Sequence, residues 1–534
     1  MPSPTTDISA IDASFGCTDG QEQALQKIIA QFQLPVDKMR QIAKDMRTEM
    51  DKGLGQHTDA ALRMIPSYLS EHPTGQETGV SYALELNGAN IRILQVTFQG
   101  RGKISTRQQK FTASETLKHG DVRNLFDYLA ECVGSFLTAM GTEETITMGF
   151  TFAFPVNQTA ANHGTLITWT KGFEVTGAEG RDVVDLLQQS LRRKHLPVQV
   201  NALVNGTVGT LLAHNYKSLD TLLGCTFSNG TNCGKMCLRP NMQLDRETRN
   251  VDRYNDAIVI GRGVNKFGES PPVAFKKRNF HPPPSPAYYE KLEAIPKYDG
   301  PPTPSSEMIV NTEWGAFGDD HRSYLPLTRY DNALNRLSSN PGVHIYEKMV
   351  SGLYLGEILR QIVLDLVDRR LLFVGPGGQQ ELGRYSHEIN THNAFETSYA
   401  GQIEQDSTPE LDDTRHILEA VLGLGEGATT LTDRKMVRRL CEVVGVRAAR
   451  LCAAGISSVI NKRGAVEGGV TISVDGTIFQ HYPNFTSRVH EALRELYGNS
   501  VDLINIGTTR DGPGVGAALA AMLNTKRRTQ TVAQ

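Results

Sequence analysis

Cys225, Cys233 and Cys237 are the closest approach to a metal-ligand cluster in the 534-residue chain, and their spacing is wrong for one. Structural zinc sites draw on paired CxxC or Cys/His sets, and neither a CxxC pair nor a nearby His completes a set here. The seven cysteines (with Cys17, Cys132, Cys441 and Cys452) are odd in number and scattered, which fits buried free thiols in a reducing compartment. The other local phrases of interest are loops. Asn87-Gly88-Ala89-Asn90 and Asn229-Gly230-Thr231-Asn232 repeat the pattern N-G-[A/T]-N, and Gly512-Pro-Gly-Val-Gly516 precedes a last helical stretch. Asn-Gly between strand-like runs signals a tight hairpin whose two turn residues tolerate positive φ.

Those loops need elements to hold them. From Gln21 to about Tyr68 the pattern is helical, with Leu25, Ile28, Ile29 and Phe32 on one face and a break at Leu34-Pro35 before a helix from Val36 to about Gly53. The period then becomes strand-like. Tyr82–Leu86 and Ile91–Val96 flank the first turn, and Thr145–Phe154 is a strand ended by Pro155. Asp182–Arg193 (helix), Val198–Val204 (strand), Thr207 to about His214 (helix) and Leu222–Phe227 (strand) lead into the second turn. Helices follow at Tyr346–Val367 and Asp433–Asn461, a strand pair around Asp475-Gly476, and a last helix at Gly514–Asn524. This alternation in two halves, with the repeated phrase at equivalent points, predicts two α/β lobes and a cleft between them.

Composition narrows the class. Hydrophobic residues make up 39% and charged residues 21%, and Lys plus Arg (55) nearly balances Asp plus Glu (58), so bulk charge gives no argument for nucleic acid or membrane binding. No apolar run reaches the roughly 18 residues of a membrane span, and residues 1–20, like 525–534, read as a flexible end. The expectation is a soluble, intracellular protein, cytoplasmic in the first instance. Residues 238–305 are proline-rich, with Pro283/Pro286 and Pro301/Pro304 at PxxP spacing, Ser270, Ser285 and Thr303 each before a proline, and a basic run Lys276-Lys277-Arg278. This stretch is expected to form a surface insertion without regular elements, serving either as a docking segment for a regulatory protein or as an idle loop.

Several longer phrases resemble the eukaryotic hexokinases, in the right order from Gln21 to Leu523: Gly149-Phe-Thr-Phe-Ala-Phe-Pro155, Trp169-Thr-Lys-Gly-Phe173, Ala202-Leu-Val-Asn205, Asn311-Thr-Glu-Trp-Gly-Ala-Phe-Gly-Asp319, Tyr346–Glu357 and Arg447–Gly455. The resemblance implies an actin-like ATPase (ribonuclease H-like) fold with a helical N-terminal segment. Residues 21–215 would form the small-lobe half and 216–524 the large-lobe half. It also implies a hexose in the cleft and MgATP phosphates held by two hairpin loops. By resemblance Thr170, Lys171, Asn205, Asn232, Glu313 and Glu347 match the family's sugar ligands, side chains suited to bridging the hydroxyls of a polyol.

The same alignment of phrases exposes departures. V-N-D-T-V-G-T reads Val204-Asn-Gly-Thr-Val-Gly-Thr210, so Gly206 stands at the family's catalytic aspartate. A positioned base contributes about 10²–10⁴ in rate. D-L-G-G-T-N-F-R reads Glu85-Leu-Asn87-Gly88-Ala89-Asn90-Ile-Arg92, with Glu85 at the Mg-associated position and no intact metal site. The second phosphate loop reads Ser228-Asn229-Gly230-Thr231-Asn232. The adenine-side loop reads Asp511-Gly512-Pro513-Gly514-Val515-Gly516, in which Pro513 loses an N–H and Val515 a cation. The resulting expectation is a catalytically inactive or impaired family member, a sugar-responsive regulator like the atypical hexokinase-like proteins of filamentous fungi, some of which are implicated in carbon-starvation control. Two alternatives stand beside it: an active ATP-dependent hexokinase acting on the 6-hydroxyl of glucose or a related hexose, with MgATP as co-substrate, and a scaffold with an empty cleft.

Overall fold

A computed structural model describes residues 16–55, 60–169, 173–227, 231–233, 287–300, 305–374, 386–464 and 468–532. Its strands are β1 (Ile65–Pro66), β2 (Thr78–Asn87), β3 (Asn90–Gln99), β4 (Ile104–Thr112), β5 (Ile146–Phe152), β6 (Val156–Ala160), β7 (His163–Leu166), β8 (Val198–Val204), β9 (Thr221–Phe227), β10 (Thr231–Cys233), β11 (Ala287–Lys291), β12 (Glu307–Asn311), β13 (Val470–Asp475) and β14 (Ile504–Thr508). One sheet runs β4-β3-β2-β5-β8; the other runs β1-β12-β11-β9-β13-β14, with β10 paired to β9. Antiparallel pairs β2–β3 in the first sheet and β9–β10 in the second flank the two copies of the repeated sequence phrase, and Asn229 and Gly230 of the second copy lie outside the described residues.

Helix Gly206–Lys217 packs against β9 of one sheet, while Gly512–Val532 packs against β2, β5 and β8 of the other. The two helices lie against each other closely enough that a Cβ on Gly516 would fall 1.9 Å from the carbonyl oxygen of Gly209. Only glycine permits that approach. Leu211, Leu212, Val515 and Leu519 fill the layer between the sheets.

Helices Asp19–Phe32 and Val36–Leu54 send Leu25, Ile28, Phe32, Met39 and Ile42 into the core built around helix Leu431–Arg463, which is itself apolar and buried. A capping box starts the first helix, Thr18 accepting from Gln21 N–H and Gln21 accepting from Thr18 N–H. The chain halves therefore do not coincide with the packed cores. The N-terminal helices join the second sheet's core, and the last helix covers the first sheet.

Five sequence expectations are corrected. The end expected to be flexible at 525–534 is helical as far as Val532, and the one helix expected over Tyr346–Val367 is two, Ile345–Val350 and Leu355–Asp368. Ala287–Lys291, inside the stretch expected to lack regular structure, is a strand paired along its length with β12, and Tyr289 is fully buried. The surrounding prolines mask its short apolar alternation; most of the rest of the insertion (234–286 and 301–304) lies outside the described residues. Val470–Asp475 is a single strand, and Gly476 at φ 146° turns the chain into helix Thr477–His481 rather than into a return strand. The helical pattern expected to reach about Tyr68 ends at Leu54, and Ile65–Pro66 joins the second sheet.

Candidate functional site

A narrow pocket between the lobes is lined by Phe152 and Phe154, by Asn205 and Val208, and by Ser67, Gln158, Asn311 and Glu313. An apolar wall with a few convergent polar groups is the usual form of a small-molecule site. Asn205 is placed by its cap role: its Oδ1 accepts from Thr207 N–H at 3.1 Å and from Thr207 Oγ1 at 2.9 Å. Gly206 is the buried first residue of that helix, with helical backbone and no acceptor.

Glu313 sits in the left-handed region at φ 56°, and Asn311 Nδ2 donates to its Oε1 at 3.1 Å. Glu347 is fully buried on helix Ile345–Val350, and is not among the side chains lining the cavity. Its helix is fastened to the Glu313 loop. Asp319 accepts from His344 N–H at 2.8 Å and Ile345 N–H at 2.9 Å, and Tyr346 N–H donates to Phe317 O at 3.2 Å. Burial pushes the Asp319 carboxyl up to about 6 despite those bonds, and pushes the His344 imidazole down to about 4. Of the remaining expected sugar ligands, Thr170 and Lys171 lie outside the described residues, and Asn232 is described only as a backbone position of β10, paired with Thr226.

On the phosphate side, Asn87 and Asn90 pair as the last strand residues, so the turn proper is Gly88-Ala89, one residue later than the sequence suggested. Gly88 alone of the two has positive φ, at 58°. Asn87 and Asn90 are exposed. Glu85 is buried and accepts from Arg92 Nε; Arg92 Nη1 donates to Asp511 Oδ1. Burial raises the Glu85 carboxyl, against the opposing pull of Arg92, and burial together with the charge of Glu85 lifts Asp475 to about 7.

A Cβ on Gly514 would lie 2.8 Å from Glu85 Oε1, and one on Gly512 would lie 2.9 Å from Thr210 Oγ1, so these glycines serve close packing. Val515, which carries no cation, is buried in the layer between the sheets. Pro513 sits at the helix start, where a missing N–H costs little, and its carbonyl accepts from Thr151 Oγ1 at 3.2 Å. Ser228, Asn229 and Gly230 lie outside the described residues, and Thr231 is described only as the β10 partner of Phe227.

No zinc cluster forms from the cysteines among the described residues: Cys132, Cys225, Cys441 and Cys452 are free and buried, and burial raises the Cys132 thiol to about 11. Asp475 and Asp511 escaped the sequence reading as members of one charged cluster because they are distant in sequence from Glu85 and Arg92, and no local pattern links them.

Two α/β lobes around a cleft, a hairpin from each lobe and a helical N-terminal region are the architecture of a two-lobed sugar kinase. The comparisons agree. Two family profiles, both described as Hexokinase, match residues 24–216 and 285–523. A Kluyveromyces lactis hexokinase is 34% identical over 508 residues, covering 93% of this chain and 91% of that protein. Hexokinase-1 of Saccharomyces cerevisiae is 33% identical over 510 residues, covering 93% and 91%. Among solved structures, hexokinase from Schistosoma mansoni complexed with glucose superposes with a TM-score of 0.75 at 30% identity, over 94% of this chain and 99% of that one. The chain belongs to the hexokinase family.

Proposed function

We propose that this protein holds a hexose in the cleft between its lobes but transfers phosphate to it poorly or not at all, and that its output inside the cell is a sugar-dependent change of lobe closure read by a regulatory partner in carbon metabolism or starvation response. The observation that carries the reading is Gly206. The first residue of helix Gly206–Lys217 stands directly after the cleft residue Asn205 and offers no carboxylate to take a proton from a sugar hydroxyl. Asn205 and Glu313 on one cavity support sugar binding.

The residues at the family's MgATP loops fit the nucleotide poorly. The Arg92 guanidinium is held by Glu85 and Asp511, and position 515 points into the core. In the hexokinase family MgATP is the phosphoryl donor. A ligand that bridges both lobes favours the closed state by the difference of its affinities for closed and open forms, which is the physical basis of a sensor without chemistry.

A second reading has its own support. Relatives named hexokinase match the chain across nearly its full length, and family membership alone favours an active ATP-dependent enzyme phosphorylating glucose or a related hexose at the 6-hydroxyl. Glucose-dependent ADP release by the purified chain separates the two. The impaired reading expects none above background alongside calorimetrically measurable glucose binding, and sustained turnover establishes the enzyme reading.

A further inference from the structure

We propose that Asn311 is a further hexose-contacting residue: its amide nitrogen orients Glu313, and its side-chain oxygen accepts a hydrogen bond from a sugar hydroxyl. The inference rests on the reading of the inter-lobe cavity as a hexose site, and it assigns a contact to a residue that the family resemblance did not single out.

Asn311 closes strand β12, paired with Ile65 of β1 on one side and Ala287 of β11 on the other. This pairing fixes its backbone from two directions, two residues before the left-handed Glu313. Its side chain is 5% exposed and lines the same cavity as Asn205 and Glu313. The bond from Nδ2 to Glu313 Oε1 settles which end of the amide is which, because a carboxylate can only accept. Oδ1 is therefore the remaining polar atom, and it is buried without a hydrogen-bond partner among the described residues.

The other polar side chains of that wall are engaged. Ser67 Oγ donates to Ile309 O at 2.8 Å, and Gln158 Nε2 donates to Ser67 O at 2.9 Å and Leu203 O at 3.1 Å. A buried acceptor left unmatched is unfavourable in the free protein, and a ligand that supplies the donor recovers that loss on binding. A hexose presents hydroxyl donors around its ring. Asn311 would accept one while Glu313, held in place by the same amide, accepts another. One side chain thereby sets the spacing of two acceptors, a device for choosing between sugars that differ in one hydroxyl.

The test is calorimetric titration of the full chain with glucose and with deoxyglucoses each lacking one hydroxyl, using wild type, Asn311→Ala and Asn311→Asp. Asn311→Ala is expected to weaken glucose by about fivefold or more. One deoxy sugar should bind wild type more weakly than glucose does, yet match glucose on Asn311→Ala, which a purely structural role would not produce. Asn311→Asp keeps the shape but sets an acceptor against Glu313, and should weaken glucose further. Melting curves establish folding, and if Asn311→Ala fails to fold, the wild-type and Asn311→Asp sugar panels decide. Equal glucose affinity in a folded variant, or the same loss for every sugar at every position, overturns the proposal. Failure of wild type to bind any hexose overturns instead the reading of the cavity on which it rests.

Discussion

Arg92, on β3, donates through Nη1 to Asp511, the left-handed residue that opens the last helix. Glu85 accepts from the Nε of the same guanidinium. The cation next to the β2–β3 hairpin is thus engaged by two carboxylates, and a third, Asp475, lies close enough for their charges to raise it. On the proposed reading, a triphosphate would meet a surface already neutralised or negative, whereas Asn205, Asn311 and Glu313 would offer a neutral polyol polar partners.

Glucose is accordingly expected to bind more tightly than MgATP in separate titrations. Asp511→Asn removes one negative partner of Arg92 and should improve MgATP binding by about two- to fivefold, the range of a partly exposed charge pair. Tight MgATP binding without glucose binding would reverse the order.

Wild type should show no hexose phosphorylation in the usual kcat range of about 1–10³ s⁻¹ in a coupled assay. Gly206→Asp should fold, because Gly206 has ordinary helical backbone and a carboxylate at a helix N-terminus is favourable by about 0.3–1 kcal/mol. It should not reach full turnover, since the Glu85–Arg92–Asp511 network is untouched. Normal turnover from this single change would show that the phosphate side is competent.

Asp331 ties the N-terminal helices to the rest. It accepts two bonds from Arg447, at 2.7 and 2.8 Å, caps its own helix through Thr328, and the Arg447 guanidinium lies 4.1 Å from the Phe32 ring centroid. Both charges are buried. Asp331→Ala leaves Arg447 buried and unpaired and should cost about 3–5 kcal/mol in denaturant unfolding. A loss comparable to a surface pair would mean that water reaches the site.

Asp475 gives the pH dependence. Its carboxyl is raised by burial and by neighbouring Glu85 from 3.8 to about 7, so the folded protein holds a proton that the unfolded chain has released between those values. Its contribution is therefore largest below 3.8 and is lost as pH rises toward 7. Asp475→Asn should remove that dependence, so the melting temperature of the variant relative to wild type rises between pH 5 and pH 8. A constant difference between the two proteins across that range would place the Asp475 carboxyl in contact with water.

The sequence carried the architecture because hairpin turns and helical faces are local. Asn-Gly signals and the spacing of Leu25, Ile28, Ile29 and Phe32 need no knowledge of distant residues, and the structure placed those elements within a few residues of expectation. Gly206 and Glu313 were legible because each lies in a long distinctive phrase. The Arg92–Asp511 pair was not, since 419 positions separate its members. Nor was the inward direction of Val515, which depends on how the last helix sits on the first sheet. β11 was hidden for a different reason: five residues with one fully buried tyrosine give too short an alternation to stand out among prolines.

That strand changes how the proline-rich stretch must be tested. Tyr289 Oη donates to Glu71 O at 2.5 Å, and β11 pairs with β12 from Ala287↔Asn311 to Lys291↔Glu307. It also meets β9 at Gly224, so it lies inside the second sheet rather than at its edge. A deletion that ends at residue 284 spares every one of these bonds, whereas one that continues through Lys291 removes a central strand, and β12 and β9 lose their common neighbour. Deleting residues 268–284 should shift the melting temperature by no more than about 2 °C, the effect of a fraction of a kcal/mol in a chain of this size. Deleting 268–291 should abolish cooperative melting. With the fold preserved, the shorter deletion tests the proposed docking role of the proline-rich stretch. A regulatory phenotype or a lost partner supports that role for residues 268–284, and unchanged regulation leaves them an idle loop. Collapse of the shorter variant would show that those residues support the sheet.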